Sequence, residues 1–206
     1  MADPLALIRM KVMNDVAASH VTRADAAAAI ESALAALGLA WESPQPGSYL
    51  VRLEGQHKLA TMTWLIAGTH SLHVEAFFCR QPDENHARFY RFLLGRNGRM
   101  YGVHFALDPV GDVYLVGRLP LGSATADEID RILGCVLSYS DENFDAALTL
   151  GFASSIRKEW AWRVKRGESL ANLRAFAALA DPEPGSPGGS HSHDPEPGTR
   201  PAGQEP

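Results

Sequence analysis

Cysteine is scarce in this 206-residue chain: Cys79 and Cys135 are its only two, and neither belongs to a C-x-x-C pair. That scarcity excludes a disulfide framework and predicts reduced, buried thiols. Long apolar runs are missing too; no stretch approaches the roughly 20 residues of a membrane span. The first residues, MADPLALIRMKVMNDVAAS, hold an early Asp3 and an apolar run broken by Arg9 and Lys11. They lack the sustained apolar core of a secretory signal, so the sequence predicts a cytoplasmic protein. An excess of positive charge is also absent. The net charge is −5, but Asp181, Glu183, Asp194, Glu196 and Glu205 stand against Arg200 alone at the end of the chain. The preceding body is therefore nearly neutral, which disfavours a dedicated nucleic-acid binder.

Apolar patterning is plentiful, with 46% hydrophobic residues, enough to build one core plus an appendage. From Met100 to Leu121 the chain reads as a hairpin. Tyr101, Val103, Phe105 and Leu107 share one side of the first arm, and Val113, Leu115 and Leu119 share one side of the second. Asp108, Pro109, Gly111 and Asp112 supply the turn. Thr22 and Asp25 open a helix to about Leu37 that Gly38 can close. Strands follow at Tyr49 to Leu53, Lys58 to Ala67 and Ser71 to Cys79, with connections short enough for an antiparallel meander. A helix is expected from Pro82 and Asp83, halted at Gly95. After the hairpin, Thr125 and Glu128 start the longest helix, which Gly151 interrupts before a further segment near Ser155 to Arg166.

The predicted fold is thus α+β, an antiparallel five-stranded sheet in the order α-β-β-β-α-β-β-α with helices on one face. Residues 1–21 form an N-terminal extension and 22–180 the domain. The Pro/Gly/acidic tail, 181–206, is expected to be disordered, because its composition cannot repay the entropy of ordering.

Leu94-Gly95-Arg96-Asn97, Phe105-Ala106-Leu107-Asp108, Gly111-Asp112-Val113, Leu119-Pro120-Leu121 and Thr125-Ala126-Asp127-Glu128 occur in this order. With the element order, they make the chain resemble the YbjN-like family, whose architecture is similar to type III secretion chaperones. The resemblance covers roughly Thr22 to Val164. It implies a bacterial sensory-transduction regulator on a fold that holds extended partner segments, commonly as a dimer. It implies no catalytic residue.

Cys79 is expected to point to the sheet face opposite the helices. On that face Phe77 and Met100 are expected to stand outward, with His73, Glu75 and His104 alongside. These are candidate partner-binding residues, since exposed aromatic and thioether groups need a cover. Trp162 and Arg163 are a second candidate: Ile156, Trp160 and Val164 recur every four residues and point inward, which turns Trp162 outward among arginines. No metal or cofactor ligand set is assigned. His191-Ser192-His193-Asp194 in the tail offers two imidazoles and a carboxylate, but on a flexible segment. Asp141, Glu142 and Asp145 read as the solvated side of the long helix. Together these features predict a non-enzymatic protein-binding module, chaperone-like or a regulatory adaptor, without affinity for nucleic acid or membrane. The competing expectation is a small-molecule or metal-dependent enzyme using His73 and His104.

Overall fold

The computed structural model describes residues 21–170 and 176–180. Most of the N-terminal extension and the whole tail, with its histidines, lie outside these residues. Helix α1, Arg23–Leu37, starts on a complete capping box: the Thr22 hydroxyl accepts from the Asp25 N–H, and the Asp25 carboxylate accepts from the Thr22 N–H. Gly38 closes it at φ 63°, a conformation glycine adopts without a Cβ penalty.

Six strands follow, one more than expected: β1 Trp41–Gln45, β2 Ser48–Glu54, β3 Ala60–Ala67, β4 Ser71–Cys79, β5 His104–Leu107 and β6 Val113–Pro120. They form one antiparallel sheet in the order β1-β2-β3-β4-β6-β5. The extra strand, WESPQ, is exposed along most of its length and has none of the alternation that marks a half-buried strand. It is an edge, where Pro44 is tolerated because no ladder bond is required on the open side.

Helix α2, His86–Asn97, begins later than Pro82 and runs past Gly95. The Asp83 and Glu84 N–H groups instead donate to the Gly151 carbonyl, at 2.9 and 3.2 Å, and Asn85 then turns the chain at φ 53°. Helix α3, Ala126–Gly151, starts on Thr125, whose hydroxyl accepts from the Glu128 N–H. After Phe152 it gives way to α4, Ala153–Arg166. The Glu84 carboxylate caps α4 from outside, receiving the Ser154 N–H and hydroxyl, both at 2.7 Å. A short helix α5, Ala177–Ala180, completes the described chain.

One sheet face carries Val51, Leu65, Val74 and Leu115, all fully buried against Ile30 and Leu34 of α1 and Ile129, Ile132 and Val136 of α3. In the hairpin, Val103 and Phe105 join this core while Tyr101 and Leu107 are exposed. Tyr101 precedes β5, and its hydroxyl donates to Glu128 instead.

Candidate functional site

The opposite sheet face is built by the alternate residues of the same strands. Leu50, Trp64, Glu75, Val116 and His104 stand side by side in one cross-strand row; Ile66, His73 and Arg118 form the next. Phe77 pairs with Tyr114, their ring centroids 5.4 Å apart and edge to face. Phe77 and Met62 are about two-fifths exposed, whereas Trp64, Ile66, Tyr114 and Val116 are half-buried among themselves. None of these apolar side chains belongs to the core, and among the described residues no helix covers them. His73 Nε2 is inaccessible yet has no hydrogen-bond partner among the described residues, with Glu75 Oε2 3.9 Å away.

Of the predicted partner residues, Phe77, His73 and His104 share this face. Met100 does not. The Met100 N–H donates to the Asn97 carbonyl, and the side chain packs on the core from the helix side, near Tyr139 and Asn143. Nor do His73 and His104 converge: β6 runs between them and they are offset by two residues, about 12 Å at strand spacing. Two imidazoles so placed cannot share one ion, which takes nitrogen ligands at about 2.1 Å. Among the described residues no group of three His, Cys, Asp or Glu side chains is arranged to hold a metal. Trp162 is exposed, with the Arg166 guanidinium 4.8 Å from its ring centroid. Arg163 donates to Glu159 at 2.6 Å and to the Ser169 carbonyl. Val164, expected inward, is 56% exposed, because burial along α4 declines toward its last turn.

Cys79 turns inward, opposite to its expected direction. A β-bulge between Phe77 and Cys79 sets Cys79 across from the buried Val113, and the extra residue reverses the alternation. The consecutive apolar pair in HVEAFFC is the sequence signal of that bulge. At the same end, β3 ceases to pair with β4 beyond Thr63 and Ala76. The Lys58 ammonium bridges the resulting gap, donating to the Phe77 carbonyl at 2.5 Å. It lies 5.6 to 5.8 Å from the ring centroids of Phe77, Phe78 and Phe144. Burial holds its pKa down to about 8, and pushes that of the Cys79 thiol up to about 12. Lys58 faces a cleft of about 520 Å³, walled by Phe78, Phe144, Leu148, Phe152 and Ile156. Nothing in the string GQHKLA marks Lys58 as a cleft residue; its place depends on contacts with α3.

A family profile described as "Putative bacterial sensory transduction regulator" matches residues 26–149. The chain belongs to the YbjN family. This YbjN protein is 55% identical over 142 residues to Uncharacterized protein Rv0487 of Mycobacterium tuberculosis (strain ATCC 25618 / H37Rv), covering 67% of this chain and 78% of the relative. It is 58% identical over 134 residues to Uncharacterized protein ML2442 of Mycobacterium leprae (strain TN), covering 65% and 73%. Among solved structures it is similar to a chain of the crystal structure of the ExsC-ExsE complex. That likeness has 17% identity and a TM-score of 0.42, over 62% of this chain and 96% of the other. Among the described residues no helix is long and apolar enough to cross a membrane.

Proposed function

We propose that this YbjN protein is a non-enzymatic regulatory adaptor that binds a partner protein through the uncovered face of its sheet. The observation that carries the reading is the apolar set Leu50, Trp64, Ile66, Val116, Tyr114 and Phe77, which is spread over four strands on the face away from the core. Four strands span about 15 Å, the scale of a small protein contact, and a groove of about 290 Å³ beside Glu75, Tyr114 and Val116 offers a seat for one partner side chain. Each large apolar side chain buried there contributes about 1.5–3 kcal/mol before ordering costs are subtracted. Interspersed His73, Glu75 and Arg118 give the surface polar register marks that favour one partner over another. The family's description as a sensory-transduction regulator agrees with this reading.

Photo-crosslinking at Trp64 and at Tyr114 in the native cell, with the exposed Arg91 of α2 as control, tests the proposal. The expected result is an adduct to one discrete protein from both sheet positions, lost when Phe77→Asp is added and missing from the control. An adduct only to a second copy of the chain would replace the adaptor by a homodimer. Adducts no stronger than the control's would reject the face.

A further inference from the structure

We propose that the cleft between the splayed ends of β3 and β4 and the joint of α3 with α4 binds an apolar monocarboxylate, a fatty acid being its simplest form, with Lys58 as the carboxylate anchor. The site does not rest on the adaptor reading, although it shares Phe77 with the sheet face. At about 520 Å³ the cleft lies in the range of small-molecule sites, which are mostly apolar with a few placed polar groups. Its walls meet that description, and Lys58 is the polar group at the splay.

The charge balance selects the ligand's sign. One other cation and one acid border the cleft, and both are already matched: Arg80 pairs with Asp83, and Glu159 with Arg163. Lys58 has no carboxylate partner among the described residues; the Phe77 carbonyl takes one of its three N–H donors, and the Cys79 thiol nearby stays neutral. Aromatic faces attract an ammonium but cannot neutralise it. An ammonium in such surroundings is costly unless it is paired and hydrogen-bonded. A carboxylate with an apolar body meets both demands, the head on Lys58 and the body along Phe144, Leu148 and Phe152. A neutral alcohol leaves the charge unmatched, and a cationic amphiphile opposes it. Phe176, from the segment ahead of α5, forms the outer wall, so an extended occupant lies between the body and this segment.

The test is fluorescence titration of the full chain with cis-parinaric acid, a fluorescent polyene fatty acid, at neutral pH below its aggregation threshold. We expect saturable binding, displaced by palmitate and at least tenfold more weakly by hexadecanol or hexadecyltrimethylammonium. Lys58→Met should weaken binding at least tenfold, and Leu148→Trp, which fills the cleft and keeps the amine, should also abolish displaceable binding. Trp64→Asp on the sheet face should leave it unchanged, so failure here and failure of the adaptor reading are told apart. Non-saturable uptake, equal displacement by acid and alcohol, or full affinity in a natively folded Lys58→Met would overturn the proposal. If Lys58→Met does not fold, the acid-over-alcohol preference and Leu148→Trp decide.

Discussion

Asp141 Oδ1 accepts hydrogen bonds from the backbone N–H groups of both His57 and Lys58, each at 2.9 Å. One carboxylate on α3 thereby fixes the loop that delivers the Lys58 amine to its cleft. Asp145, one turn on, pairs with His57 Nδ1 at 2.6 Å, and Gly55 passes so close to Asp141 that a Cβ there would collide with it. Burial raises the Asp141 pKa, but the loop N–H groups outweigh that effect and hold it below the ordinary carboxylate value. We expect Asp141→Ala to lower stability by about 1–3 kcal/mol and to speed amide exchange at His57 and Lys58. Urea denaturation and hydrogen exchange measure the two effects, and slow exchange at both amides in the variant would refute the anchoring role.

Lys58 also makes stability depend on pH. Its folded pKa, about 8, lies below its ordinary 10.5 because the amine is buried. Below pH 8 both folded and unfolded chains hold the proton, and the folded state bears the full burial penalty. From pH 8 to about 10.5 the unfolded chain keeps the proton that the folded chain has lost, so this contribution to stability rises with pH. Cys79 acts in the opposite sense: its folded pKa of about 12 exceeds the ordinary 9.0, so its contribution falls above pH 9. Besides Cys79, Arg80 and Glu159 border the same cleft. The stability difference between the wild type and Lys58→Met should therefore increase from pH 8 to pH 9. Urea unfolding of both proteins across that interval checks it, and a constant difference would contradict it.

Helix α1 should be sensitive at its N-terminal cap, Thr22. The Thr22 hydroxyl and the Asp25 carboxylate exchange bonds with each other's backbone N–H, at 3.2 and 2.9 Å. Ile30 and Leu34 of this helix are fully buried, so fraying loosens the core as well as the helix end. Thr22→Ala is expected to cost about 1 kcal/mol and Thr22→Asn much less, read as shifts in the thermal midpoint.

The elements legible in the sequence are those whose signals are local. The Thr22 cap, Gly38, the alternation in SLHVEAFF and the break at Gly151 each report a constraint contained within a few residues. Strand β1 was not legible, because an exposed edge with Pro44 and Glu42 needs no apolar alternation; only Trp41, edge to face with Tyr49 at 5.5 Å, ties it inward. Phe77, His73 and His104 could be placed on one face because pleating alone determines it. Met100 could not, since the turn after α2 redirects it. Asp141 and Asp145 read as solvated charges because their partners, His57 and Lys58, lie more than eighty residues away. The cleft was hidden for the same reason: it arises where strands stop pairing, and only the doubled phenylalanine of β4 hints at that end.

Two threonines on the buried face of β3 should respond oppositely to the same substitution. The Thr61 hydroxyl shares a hydrogen bond with that of Ser140, 2.7 Å away, and the Ser140 hydroxyl also lies 3.3 Å from the Leu137 carbonyl. Thr63, two residues on and fully buried, has no hydrogen-bond partner for its hydroxyl among the described residues. Valine matches threonine in shape and removes only the polar group. Thr61→Val then loses the bond made with the buried Ser140 hydroxyl, a cost of about 1 kcal/mol, whereas Thr63→Val relieves an unpaired buried hydroxyl and gains about 0.5–1.5 kcal/mol. Urea midpoints moving in opposite directions would bear this out; a loss in both variants would mean that the Thr63 hydroxyl finds a partner in solution.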